Sequence, residues 1–294
     1  MVGFIGIGIM GKHMAKNLLS AHYDLLVYDV VEEATHYAVN AGAKLASVAE
    51  IGEKCEVIFL SLPNGSIVQS VVLGEGGLIH YIKEGAVIAD TSSITPAESK
   101  LCHQSLGKIG VGYIDCPVSG GEPGAQNGTL AFMAGGSKKD FDMLKPYFEV
   151  LGRSAVLVGE SGSGSVAKLA NQVIVNTTIA AVSEALVLAV KCGTDPDKVF
   201  NAIRGGLAGS QVLEDKAPMM ITRNFRPGGS LTINRKDIKN VMSAAEEVGA
   251  PMFLTSQLFE IMQALRIAGH SDEDHSAIVR FYEQLAGVEV SKKD

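Results

Sequence analysis

Gly6-Ile7-Gly8-Ile9-Met10-Gly11 is a G-x-G-x-x-G run, placed directly after the apolar stretch 2–5 and at the head of a helical pattern. In that context each glycine has its own task. Gly6 allows a tight turn, Gly8 lets a pyrophosphate approach the backbone, and Gly11 lets the helix pack on the strand. The helix start offers N–H groups to phosphate, so Ile7, Ile9 and Met10 belong to the same candidate loop. Asp29 closes the next apolar run, 18 positions after Gly11. A carboxylate there accepts hydrogen bonds from a ribose 2′-hydroxyl and repels a 2′-phosphate, and Val30 and Val31 supply no arginine to capture that phosphate. NAD is thereby expected over NADP. Asp29 has a second reading, as a cap on the turn that follows it.

Leu62 and Pro63, in Ser61-Leu62-Pro63-Asn64, end another apolar run, as does Ser93 in Asp90-Thr91-Ser92-Ser93-Ile94-Thr95-Pro96. A doubly wound sheet opens its ligand crevice at such strand ends, which makes these residues candidate cofactor contacts. Each segment alone would serve equally as a helix cap. Asp115-Cys116-Pro117-Val118-Ser119-Gly120-Gly121 sets a hydroxyl beside two glycine N–H groups, an arrangement that suits a carboxylate. The alternative is a plain Pro–Gly loop. Lys168 falls one turn into an otherwise apolar helical stretch after a glycine loop, a costly place unless it faces a cleft. Burial would lower its pKa and let it exchange a proton near neutral pH. Alternatively its stem lies along apolar surface with the ammonium in water. Asn171, at i+3, shares its helical face.

These residues need strands alternating with helices to hold them. Apolar runs at 2–5, 25–28, 57–60, 86–89, 113–116, 130–134 and 155–158 alternate with helical stretches. That is the pattern of βαβ units around a mainly parallel sheet buried on both faces. After residue 159 a small-residue loop, ESGSGS, leads into helical segments expected at 165–192, 196–204, 208–221, 235–248, 252–268 and 273–286. The fold class is α/β: an N-terminal Rossmann-type doubly wound sheet over 1–160, then an all-helical C-terminal domain over 161–294 for substrate and oligomerisation. Segment 173–190 is apolar nearly all round, but Asn176, Thr177, Thr178, Ser183 and Glu184 make it too polar for a comfortable membrane span. It is expected to bury itself between domains or against another subunit.

With 47% hydrophobic residues in 294, the chain has ample core-forming surface, which excludes wholesale disorder. A net charge of −7 and the absence of Trp argue against a nucleic-acid binder. Cys55, Cys102, Cys116 and Cys192 form no C-x-x-C pair, which favours a reduced, cytoplasmic protein. The first residues lack the basic and apolar pattern of a signal peptide. The seven histidines show no metal-ligand spacing, so no metal is expected.

FIGIGIMGKHMAKNL at 4–18, DTSSITP at 90–96, DCPVSGGEPGAQNGTL at 115–130, GSGSVAKLANQ at 162–172 and Arg235-Lys236-Asp237 together resemble the β-hydroxyacid dehydrogenase family, from end to end of the chain. The resemblance implies that Ser119, Gly120 and Gly121 hold a substrate carboxylate and that Lys168 is the catalytic general acid/base. It implies substrate contacts from Asn171 and Gln172, and a Lys236 that closes over the nicotinamide. The family often carries Asn four residues after the lysine, where this chain has Gln172. Residues 168–172 and 204–210 resemble the tartronate semialdehyde reductase branch. The expected function is NAD-dependent interconversion of a small 3-hydroxy acid and its semialdehyde, 2-hydroxy-3-oxopropanoate to glycerate above all. Within the family, 3-hydroxyisobutyrate, succinic semialdehyde and 2-(hydroxymethyl)glutarate are alternative substrates. A non-catalytic dinucleotide-binding regulator is the alternative from another class. A homodimer or homotetramer is expected, with no nucleic-acid or membrane partner.

Overall fold

The computed structural model describes residues 1–292 and divides the chain into two compact units, Met1–Lys168 and Leu169–Asp294. The first unit begins with β1 (Val2–Ile5), α1 (Gly11–Ser20), β2 (Leu25–Tyr28), α2 (Glu32–Asn40), β3 (Lys44–Leu45), α3 (Val48–Lys54) and β4 (Val57–Leu60). It continues with α4 (Gly65–Leu73), β5 (Val87–Asp90), α5 (Pro96–Gly107), β6 (Gly112–Asp115), β7 (Val118–Ser119), α6 (Gly121–Asn127), β8 (Leu130–Gly135), α7 (Lys138–Leu151) and β9 (Gly152–Gly159). The sheet order is β3-β2-β1-β4-β5-β6-β8-β7, with β9 paired to β8. Strands β3 through β6 in that order run parallel, while β8 is antiparallel to β6.

Side chains alternate across the sheet, as the period of two along a strand requires. Phe4, Val27, Phe59 and Ala89 pack on one face with Met14 and Leu18 of α1. Ile5, Leu26, Ile58, Leu60, Ile88 and Tyr113 pack on the other, against Val68, Val72 and Cys102. Both faces are covered, which is why the central strands read as continuous apolar runs. β9 departs from that expectation. Its exposure alternates along the strand, with Val156 58% and Val158 49% exposed, because Ala155 and Leu157 pack on the core and the opposite face of this edge strand is open. The two-residue strands β3 and β7 are too short for any periodicity to reveal.

The second unit is helical. α8 (Ser163–Lys191) carries the chain into it, followed by α9 (Pro196–Ile203), α10 (Gln211–Ile221), α11 (Leu231–Val248), α12 (Phe253–Ile267) and α13 (Val279–Ala286). Ile179, Val182 and Leu186 of α8 form its core with Phe200, Met220, Leu258, Met262 and Ile278. The stretch expected as one helix over 273–286 is instead a 3-10 turn, His275–Ile278, followed by α13. Asp274 breaks it: its carboxylate caps Ser276 N–H at 2.9 Å and pairs with Lys216. α11 starts four residues earlier than expected, at Leu231, because Ser230 caps it. Among the described residues α8 is the one helix long and apolar enough to cross a membrane, and a third of its most apolar window is buried. Ile174 and Leu188 stay 65% and 64% exposed.

Candidate active site

The register of the parallel strands collects the candidate residues at one edge. Ile5 is level with Tyr28 and Leu60, Leu60 with Asp90, and Asp90 with Asp115. The segments that leave these strands are the glycine loop, Asp29, Leu62-Pro63, Ser93 and Ser119–Gly121. They therefore emerge together at the carboxyl ends of the strands, where open α/β sheets bind ligands.

Gly6 has φ +94°, and a Cβ there would lie 2.3 Å from the Ser61 carbonyl oxygen. A Cβ on Gly11 would meet the Gly6 oxygen at 1.9 Å. A Cβ on Gly8 would meet nothing within 4 Å. The first and third glycines are thus required by the protein's own packing, and the second leaves open space at the loop. No side chain caps α1, and the Lys12 and His13 N–H groups donate to the Gly8 and Met10 carbonyls, so the positive end of the helix dipole faces the loop. The loop fits a dinucleotide pyrophosphate. Ile9 is exposed, whereas the Ile7 side chain is in the core and its N–H donates to Asp29 Oδ2 at 2.7 Å. Ile7 shapes the loop and does not lend its amide to phosphate. Asp29 also accepts from Val31 N–H at 2.9 Å, so the carboxylate caps the following turn as well. Each carboxylate oxygen has a further lone pair, which leaves Asp29 able to accept from a ribose hydroxyl.

Leu62 N–H donates to Ser92 Oγ at 2.9 Å, joining the two strand-end loops, while Pro63 is exposed and Ser93 half-buried. Beneath them Asp90 is fully buried and accepts from Ser92 N–H at 2.9 Å and Tyr113 O–H at 2.7 Å. Burial pushes its carboxyl up to about 6, with Glu98 adding to the rise and the two hydrogen bonds opposing it.

Gly120 and Gly121 have φ +128° and +60°, so the backbone turns in the left-handed region immediately after the half-buried Ser119. Successive N–H groups in such a turn form a concave anion site. The loop is anchored to α1 from behind. His13 Nε2 and Lys12 Nζ lie 3.0 and 3.1 Å from Glu122 Oε1, and Asn17 donates to the Ala125 carbonyl at 2.8 Å. His13, then Lys12, holds the Glu122 carboxyl below its ordinary value. Lys168 is half-buried, and its Nζ donates to the Val118 carbonyl at 2.9 Å, one residue before Ser119. An ammonium is thereby held beside the left-handed turn at Gly120 and Gly121.

Asn171, Gln172 and Lys236 belong to the second unit and form one polar chain there. Asn171 Nδ2 donates to Gln172 Oε1 at 3.0 Å. Gln172 Nε2 donates to Asp237 Oδ2 at 2.6 Å and to Asn234 Oδ1 at 3.3 Å. Lys236 Nζ lies 2.8 Å from Asp237 Oδ1. Gln172 is buried, with both ends of its amide engaged by the protein. Sequence reasoning gave no part to Asp237, Asn234 or the Asp115 carboxylate, all three buried. A carboxylate closing an apolar strand was the available signal for Asp115. Asp237 and Asn234 offered none, since their partner lies more than sixty residues away.

A glycine-loop α/β unit followed by a helical unit, with a lysine set beside a left-handed glycine turn, is the build of a nicotinamide-dependent oxidoreductase. Residues 1–159 match the family described as the NAD binding domain of 6-phosphogluconate dehydrogenase. Residues 162–282 match the family described as NAD-binding of NADP-dependent 3-hydroxyisobutyrate dehydrogenase. The chain is 38% identical to the 2-hydroxy-3-oxopropionate reductase of Escherichia coli, over 97% of this chain and 98% of that protein. It is 35% identical to the 2-(hydroxymethyl)glutarate dehydrogenase of Eubacterium barkeri, over 99% and 97%. A solved structure of the Mycobacterium tuberculosis 3-hydroxyisobutyrate dehydrogenase with L-serine superposes with a TM-score of 0.87 at 28% identity, covering 96% of this chain and 98% of that one. The chain belongs to the β-hydroxyacid dehydrogenase family. It is a hydroxyacid dehydrogenase that works with a nicotinamide dinucleotide.

Proposed function

We propose that this enzyme reduces 2-hydroxy-3-oxopropanoate to glycerate with NADH, using Lys168 as general acid. The observation that carries the reading is the 2.9 Å bond from Lys168 Nζ to Val118 O, which sets a proton donor next to Ser119, Gly120 and Gly121. When bound, the dinucleotide supplies the hydride in reduction and accepts it in oxidation. Residues 1–160 hold it: the turn Gly6–Gly11, Asp29 at the ribose, and Leu62, Pro63 and Ser93 at the neighbouring strand ends; Lys236 is the further cofactor contact that the resemblance implies.

The Ser119 hydroxyl and the N–H groups of Gly120 and Gly121 hold the substrate carboxylate. Fixing that end holds the reacting carbon in place. Lys168 gives its proton to the aldehyde oxygen as the alcohol forms, and takes it back in the reverse direction. Asn171, in the next turn of α8, bonds the substrate oxygen, and Gln172 orients Asn171 from behind.

Two lines support the substrate. The Escherichia coli relative named for it is 38% identical over nearly the whole chain. Polar side chains at the substrate's C2 would suit the hydroxyl of 2-hydroxy-3-oxopropanoate, whereas the methyl of 3-hydroxyisobutyrate would leave them unpaired. The free cysteines fit a reducing, cytoplasmic setting. The exposed Ile174 and Leu188 on α8 support assembly with further copies.

A panel of C3–C6 semialdehydes assayed with NADH and NADPH tests the reading. The highest kcat/KM should fall on 2-hydroxy-3-oxopropanoate, with poor oxidation of 3-hydroxyisobutyrate. Comparable kcat/KM for the hydroxyl and methyl compounds would defeat the substrate assignment and leave the family standing. No turnover of any member would favour a regulator.

A further inference from the structure

Lys168 stands in the second turn of α8, and a carboxylate on a different element fixes the start of that helix. Asp115 ends β6 and is fully buried. Its Oδ1 accepts the N–H of Gly162 at 2.7 Å, and its Oδ2 accepts the N–H of Ser165 at 2.8 Å. Three residues beyond Asp115, the carbonyl of Val118 accepts from Lys168, which lies three residues beyond Ser165. The segments 115–118 and 165–168 are therefore joined at both ends, like two rails with a rung at each end.

The start of α8 is also packed closely against the sheet. A Cβ on Gly164 would lie 2.2 Å from the Asp115 carbonyl oxygen and 2.3 Å from that of Met133. Ser165 Oγ shares a hydrogen bond of 2.8 Å with Ser99 Oγ, and both serines are wholly buried. The carboxylate satisfies helix-start N–H groups that would otherwise be orphaned, and the helix dipole favours its negative charge there. A lysine side chain is a long flexible stem, so its ammonium has a defined position only if both its backbone and its acceptor are fixed.

We propose that Asp115 is a positioning residue for catalysis: its carboxylate clamps the start of α8 so that Lys168 is held in register with the loop Ser119–Gly121. The proposal rests on the reading of Lys168 as the general acid/base. Asp115 touches neither substrate nor cofactor, and it acts by holding the lysine's helix against the lysine's own acceptor.

Asp115→Asn tests it. The change keeps the shape, but it turns one acceptor into a donor that faces a backbone N–H. Asp115→Asn, Lys168→Ala and the double variant are compared with wild type, using the fastest substrate of the semialdehyde panel. Because displacements of about 1 Å can cost about 10²-fold in rate, Asp115→Asn should lower kcat by at least about tenfold. NADH affinity by fluorescence titration and KM should stay near wild type. The deuterium isotope effect on hydride transfer should rise, because chemistry becomes rate-limiting. The double variant should be no slower than Lys168→Ala alone, since both changes disable one unit.

If Asp115→Asn fails to fold, Asp115→Ser, which keeps one acceptor, should show the same split. A folded Asp115 variant with wild-type kcat and isotope effect overturns the clamp, as do losses that multiply in the double variant. Wild-type turnover by Lys168→Ala is a different failure, because it removes the lysine itself from the chemistry.

Discussion

The backbone N–H of Ile7 donates to Oδ2 of Asp29 at 2.7 Å, so the residue that follows β2 also fixes the turn that follows β1. Asp29 thereby shapes the glycine loop, and the proposed function gives it a second task, excluding a 2′-phosphate. The wild type should show a higher kcat/KM with NADH than with NADPH. Asp29→Ala should narrow that ratio, and NADPH should not rise to the wild-type NADH value, because the loop has lost its anchor. Hydrogen bonds to charged groups contribute about 1.5–3 kcal/mol, so the NADH kcat/KM should fall roughly ten- to a hundredfold. Steady-state kinetics with both cofactors check this, and a wild type that prefers NADPH refutes it.

The three loop glycines should respond differently to a methyl group. Gly8→Ala meets open space and should melt like wild type, yet lose NADH affinity because the methyl occupies the approach of the pyrophosphate. Gly6→Ala puts a side chain at φ +94°, and Gly11→Ala drives one into the Gly6 carbonyl. Backbone strain of this kind costs on the order of 1–3 kcal/mol, so both should melt several degrees lower even without cofactor. Thermal melts with and without NADH separate the cases. A Gly8→Ala protein that binds NADH like wild type would show that the pyrophosphate does not pass there.

The buried Asp90 carboxyl, raised to about 6, gives a pH dependence of known sign. Between about pH 4 and 6 the native state holds a proton that the unfolded chain releases, so this contribution to stability is full at low pH and is lost as pH rises to 6. Asp90→Asn does not titrate. Relative to that variant, the wild type should lose on the order of 3 kcal/mol from pH 4 to 7 and then level off. Urea midpoints across that range measure the difference, and a gap that is constant or that opens the other way contradicts the account.

Apolar runs bracketed by glycine and polar turns made the central strands legible, because a sheet covered on both faces leaves no alternation to misread. β9 was misjudged for the complementary reason: Val156 and Val158 look like core in sequence and lie exposed on an edge. The glycine loop and Asp29 were legible because their spacing is local. Lys168 was singled out by its incongruity in an apolar helix, but its bond to Val118, fifty residues away, has no local signature. Gln172 shows the limit most plainly. Its length suggested reach toward a ligand, and the structure gives that length to Asp237, 65 residues on.

The central claim is that Lys168 transfers the proton. Lys168→Ala should bind NADH with wild-type affinity, keep its fold, and lose at least about 10²-fold in the single-turnover rate of semialdehyde reduction, the low end for lost general acid catalysis. Small primary amines added to the solution should restore part of that rate, in order of their size and basicity. A single-turnover rate equal to wild type, with no response to added amine, would contradict the claim.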